Sequence, residues 1–234
     1  MADAERLDGV PEMGMNGFVT IASADQGTPF VESYGLLLAS ILLGSNGKPP
    51  AVVAVVAARA GDGVSTTALN LGIMMARTGR PTAIVDANMR EPSLHVAFGL
   101  PQGPGLAEVL TGKSELKSAT APTKIPNLSL VPAGLGSVPA QALLSQAGLK
   151  GLFDLMRTRF DLVVVDTPPI LQYPDTLHIG KSVDGVLQVV SSQGASRRDQ
   201  QETRQLLDRV GAHLLGTVLN RVPPRAKDPR AATR

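Results

Sequence analysis

Apolar residues in this chain fall in short unbroken runs rather than in strict alternation. Val52–Ala57, Thr82–Asp86, Leu128–Pro132, Leu162–Asp166, Gly185–Val190 and Leu214–Leu219 each read as a strand. Runs of this kind mark strands buried on both faces of a parallel sheet. Between them, apolar positions recur at helical spacing over Thr66–Arg77, Leu106–Leu110, Leu143–Thr158, Thr176–Ile179 and Arg197–Arg209. In the first of these, Leu69, Ile73 and Ala76 would seat the helix on the sheet. A further apolar helix starts at Thr28-Pro29 and ends near Gly44, and Ser45–Pro50 carries turn chemistry. The alternation predicts an α/β fold: a doubly wound, mostly parallel sheet with helices on both faces. Residues 1–27 lack a period and read as an irregular arm, 28–222 as one domain, and 223–234 as a basic flexible tail.

Composition narrows the function classes. A chain of 234 residues, 43% hydrophobic, suits one α/β domain with a small appendage. Aromatics are only 3%, so aliphatic side chains must fill the core. The absence of cysteine excludes disulfides and thiolate metal sites and fits a reducing interior. His95, His178 and His213 are too scattered for metal-ligand spacing. Net charge is +2, with no basic stripe interleaved with aromatics, so nucleic acid is not an expected partner. Arg221, Arg225, Lys227, Arg230 and Arg234 gather at the end against Asp228 alone. That cluster reads as a solvated tail or as a contact for anionic lipid or an acidic partner. No stretch approaches the ~20 apolar residues of a membrane span. Met1–Arg6 adjoins no apolar run, so it does not read as a signal peptide.

The candidate chemistry lies after the first buried run. There the chain continues Ala58-Arg59-Ala60-Gly61-Asp62-Gly63-Val64-Ser65-Thr66-Thr67 into a helix. This is the layout of a phosphate-binding P-loop, whose pattern ends G-K-[ST]. Glycines let such a loop curl so that successive N–H groups face phosphate oxygens, and the helix adds its N-terminal partial charge. Gly61 and Gly63 supply the curl. Ser65 stands where a hydroxyl would hold Mg²⁺, and Thr66 where one would meet the α-phosphate. Val64 occupies the lysine position. Two predicted strands end in carboxylates, Asp86 and Asp166. Ligands of parallel sheets sit beyond the carboxyl ends of the strands, so Asp86, Asp166 and the loop should converge on one hydrated Mg²⁺.

Four blocks in order make the chain similar to the bacterial tyrosine kinases of capsule and exopolysaccharide synthesis. They are Gly61–Thr67, Val85–Pro92 with His95 and Phe98, Gly105–Leu110, and Phe160–Pro169. Asp184–Leu187 and Gly216–Asn220 complete a likeness covering about residues 28–222. That family lies within the deviant P-loop ATPases that include the MinD and ParA proteins. The resemblance implies ATP and Mg²⁺ as cofactors, with Ser65, Asp86 and Asp166 at metal positions and Gly61, Asp62, Gly63, Val64, Ser65 and Thr66 around the nucleotide. It places Asn220 where an amide can meet the adenine, a position equally suited to a strand-ending turn residue. Arg197 and Arg198 fall near the nucleotide or simply open a solvated helix. The implied partner is an inner-membrane polysaccharide co-polymerase, with the chain cytoplasmic and peripheral to the membrane.

The chain departs from that family in one direction. Val64 replaces the lysine, and Asn88 replaces the second carboxylate of the D-x-D pair, the proton acceptor from the incoming hydroxyl. A neutral amide cannot act as that base. Tyr34 and Tyr173 are the only tyrosines, so the tyrosine-rich tail of the family is missing. In Glu32-Ser33-Tyr34-Gly35-Leu36-Leu37-Leu38, Gly35 and Leu38 stand where a self-assembly segment carries arginines, so the family's ring oligomer is not expected. Losing the lysine's charge-assisted bond, about 1.5–3 kcal/mol, weakens ATP binding about ten- to a hundredfold. Losing a base costs about 10²–10⁴-fold in rate. The expectation is a kinase-like regulator without intact catalytic groups. Two alternatives stay open: an active kinase or ATPase using Arg59, which stands where MinD-like proteins carry a signature lysine, and a MinD- or ParA-like positioning ATPase.

Overall fold

Seven strands form one sheet whose interior is almost entirely aliphatic. The structure is a computed structural model that describes residues 13–25, 27–44, 49–136 and 146–223. In chain order the strands are β1 (Met13–Met15), β2 (Phe18–Val19), β3 (Val52–Ala57), β4 (Thr82–Asp86), β5 (Ala121–Pro122), β6 (Leu128–Val131), β7 (Leu162–Asp166), β8 (Gly185–Ser191) and β9 (Leu214–Asn220). The helices are α1 (Pro29–Leu43), α2 (Val64–Arg77), α3 (Leu94–Phe98), α4 (Leu106–Leu110), α5 (Leu116–Ala119), α6 (Gln146–Arg157), α7 (Asp175–Ser182) and α8 (Arg197–Arg209). The sheet runs β5-β6-β4-β7-β3-β8-β9. Every pairing is parallel except that of β5, which runs antiparallel at the edge.

Side chains of a strand alternate between faces, and the core divides accordingly. Val52, Ala54 and Val56 of β3 join Leu149, Phe153, Met156, Ile179 and Leu207 under α6, α7 and α8. Val53, Val55 and Ala57 join Leu38, Ile41, Ala68, Leu71 and Met75 under α1 and α2. Both faces are covered by helices, which is why the strands tolerate valine at successive positions. Strand ends fall within a residue of the sequence expectation, and α2 begins two residues earlier than Thr66, at Val64.

The region read as an irregular arm differs over its described part. Met13–Val19 forms a two-stranded antiparallel hairpin, and Ile21 is fully buried. Asn70 of α2 fixes this segment. Its Oδ1 accepts from the Ile21 N–H at 2.7 Å, and its Nδ2 donates to the Val19 carbonyl at 2.9 Å. Arg77 Nη2 donates to the Ile21 carbonyl at 2.6 Å. Residues 1–12 of the arm and 224–234 of the basic tail lie outside the described residues.

Candidate nucleotide and metal site

β3 lies inside the sheet between β7 and β8, and the loop that follows it needs two left-handed glycines. Gly61 has φ 81° and Gly63 φ 103°. At Gly63 space as well as conformation demands glycine, because a Cβ would lie 2.1 Å from Asn220 Nδ2. Gly63 caps α2, and its carbonyl accepts the Thr67 N–H at 2.9 Å. The loop opens into a cleft of about 470 Å³ whose floor includes Gly61, Gly63, Val64, Ser65 and Thr66. That is the size of an ordinary small-molecule site.

Asp86 and Asp166 sit at paired register positions at the carboxyl ends of the neighbouring strands β4 and β7. Both are fully buried. Asp86 accepts from the N–H groups of Asn88, Ser93 and Leu94, each at 3.2 Å. Burial nevertheless raises its pKa to about 6, with those N–H groups pulling the other way. Asp166 is less well served, since neither carboxylate oxygen has a hydrogen-bond partner. Burial pushes its pKa well up and the Asp86 carboxylate adds to the rise. The Ser65 hydroxyl and Thr167 N–H oppose this from nearby without closing a well-formed bond. A buried carboxylate with two orphaned oxygens is costly unless a cation completes it.

The donor chemistry fits Mg²⁺. Ser65, Asp86 and Asp166 would supply hard oxygen donors. Among the described residues no group of three or more His, Cys, Asp or Glu forms a full protein cage. Such a set suits an ion that keeps water and takes remaining ligands from phosphate.

The other site residues expected from sequence fall out unequally. Asn88 lines the cleft, and its Oδ1 accepts the Glu91 N–H at 3.2 Å. Asp62 is buried and turned away from the cleft, where its Oδ2 accepts the Arg59 N–H at 3.3 Å. Asn220 adjoins the loop with its amide already engaged: Nδ2 donates to the Asp62 carbonyl at 3.0 Å, and Oδ1 accepts the Arg221 N–H at 2.9 Å. Arg59 lines the cleft, yet its Nε and Nη2 both donate to Asp199 of α8, each at 3.1 Å. Arg197 and Arg198 open α8 on its exposed side and do not line the cleft.

Sequence reasoning missed several lining residues. Phe18 reaches the cleft from the hairpin, Glu91, Pro92 and Ser93 from the loop after β4, and Arg221 from the end of β9. Arg90 lies in the β4 loop. Its guanidinium stacks 4.5 Å above the Tyr173 ring and pairs with buried Asp175 at 3.0 Å, tying that loop to the one after β7. No single-residue pattern announces these long-range meetings.

Comparison with known proteins assigns the lineage. A family model described as an AAA domain matches residues 50–197. Over 190 residues the chain is 32% identical to the tyrosine-protein kinase YwqD of Bacillus subtilis, spanning 81% of this chain and 80% of that protein. It belongs to the bacterial tyrosine-protein kinase family. Among solved structures, the chimerical protein CapA2B2 superposes with a TM-score of 0.82 at 28% identity, covering 92% of this chain and 96% of that one. MinD of Pyrococcus horikoshii, solved with Mg-ADP, shares the fold at a TM-score of 0.65 and 22% identity over 78% of this chain and 75% of that one.

Val64 and Asn88 both line the cleft. Val64 starts α2 and packs against the cluster formed by Leu38, Ile41, Val53 and their neighbours. Asn88 holds its own loop by accepting the Glu91 N–H.

Proposed function

We propose that this chain is a kinase-like regulator of capsular or exopolysaccharide synthesis or export, in which nucleotide binding outlasts phosphoryl transfer. It would dock on an inner-membrane polysaccharide co-polymerase. The observation that carries this reading is Val64, which stands at the loop's cation position and packs onto the aliphatic core. Asn88 supports it by offering an amide where a base is required. The curled glycines, the orphaned Asp166 and the open cleft support retained binding of ATP with Mg²⁺. Binding of Mg-ADP by the similarly folded MinD points the same way.

The reading in which Arg59 replaces the lysine is disfavoured by its two-pronged bond to Asp199. The docking face is α1, whose Val31, Leu38 and Ile41 face the core while Leu36 and Leu43 are 71% and 84% exposed. No helix among the described residues is long and apolar enough to cross a membrane.

Purified protein tests the reading directly. With Mg-ATP, wild type should give neither phosphotyrosine nor released phosphate above a D86A control, while calorimetry detects ATP. The V64K/N88D double variant should gain turnover. Wild-type turnover at an ordinary enzymatic rate, lost in D86A, would overturn it.

A further inference from the structure

Arg221 adopts a backbone that an arginine should avoid, at φ 55°. A non-glycine residue there costs free energy and persists only where its surroundings over-determine it. Here they do. The Arg221 N–H donates to Asn220 Oδ1 at 2.9 Å, and the Ser192 hydroxyl donates to the Arg221 carbonyl. The Ser192 N–H donates to the Asn220 carbonyl at 2.9 Å, and Asn220 itself grips the Asp62 carbonyl of the phosphate loop. Glycine would suit this conformation at less cost. What the position holds is an arginine on the lining of a cleft shared with a phosphate loop that lacks its lysine.

Two arginines line that cleft. Arg59 is held by Asp199, whereas Arg221 enters no ion pair among the described residues. Glu91 lies on the cleft lining contributed by the β4 loop, so it supplies negative charge rather than a rival cation. Resting on the nucleotide reading above, we propose that Arg221 holds the phosphate chain of the bound nucleoside triphosphate in place of the missing lysine. A guanidinium suits this task because its fork of N–H donors matches phosphate oxygens.

The test uses the opposed demands of backbone and side chain. R221G should keep or raise the melting temperature, because glycine accepts the left-handed backbone, while weakening ATP binding about tenfold through loss of a charge-assisted bond. Inorganic triphosphate should lose a similar factor, and R204Q, on the exposed face of α8 and outside the cleft, should leave both affinities unchanged. Wild-type affinity should fall with added salt, since the group is solvent-exposed. If R221G binds ATP and triphosphate as wild type does, the assignment of Arg221 fails while the nucleotide reading stands. If R221G weakens ATP alone, the phosphate assignment is overturned in favour of contact with the base. If wild type binds neither ligand, the nucleotide reading falls and takes this assignment with it.

Discussion

The two ends of the sheet treat the same side chain in opposite ways. At the amino ends of β3 and β8, Asp184 is saturated. Its Oδ2 accepts the N–H groups of Ala51 and Val52 at 3.0 and 2.8 Å, and Arg157 donates to both oxygens through Nε and Nη2 at 3.3 and 2.8 Å. Burial would raise its pKa, but Arg157 and the two N–H groups outweigh that and lower it. At the carboxyl ends of β4 and β7, Asp86 and Asp166 sit side by side with raised pKa values, and Asp166 has no partner at all. One end closes its charge within the chain and serves stability. The other leaves a buried carboxyl without a partner, an arrangement that suits an arriving cation. A small cleft exists at the amino end too, lined by Pro49, Pro50, Arg157 and His213, but its carboxylate is already satisfied.

This contrast can be broken by substitution. The largest effect should come from D184A, which strands two backbone N–H groups and Arg157 and should destabilise by about 2–4 kcal/mol. At this chain length each kcal/mol moves the melting temperature by about 2–4 °C, so calorimetry will read it easily. D166N should do the reverse. Replacing an unpartnered buried carboxylate should stabilise the metal-free protein by about 1–2 kcal/mol and remove any magnesium dependence of nucleotide binding. A destabilised D166N would mean that the carboxylate has a structural partner after all.

A pH series sharpens the same point at smaller scale. Asp86 has a folded pKa of about 6, above the ordinary 3.8. It binds its proton more tightly folded than unfolded. Its stabilising contribution is therefore complete below the unfolded value and is lost as pH rises through about 6. The stability advantage of metal-free wild type over D86N should shrink across that window, and magnesium should flatten the difference. Parallel melting curves for the two proteins would refute the assignment. The smallest effect belongs to R59Q. Its side chain is 60% exposed, so breaking the pair with Asp199 should leave the melting temperature almost unchanged.

How much of this was legible beforehand depended on where the information lay. β3, β4 and β7 declared themselves because burial on both faces forces continuous aliphatic runs. Asp86 and Asp166 stood out because each terminates such a run. The hairpin of β1 and β2 was missed because strands of three and two residues have no period to detect. Helices α3 and α5 are five and four residues long, too short for a helical stripe. β5 has two residues, one of them a proline that suits only an edge. Within the site, Phe18, Glu91 and Arg221 arrive from distant segments. The Arg59–Asp199 pair, which alters the reading of Arg59, spans 140 residues. Chain-local patterns carry no trace of such meetings.

Asn70 has a consequence beyond holding the hairpin. It rides the same rigid rod that begins at Val64, and its amide also donates to the Thr66 carbonyl at 2.9 Å, one turn back toward the rod's tip. A tilt imposed at that tip by an occupant of the cleft would be levered to the leading segment, carrying Phe18 with it. The rim and the floor of the opening are thus tied to one helix.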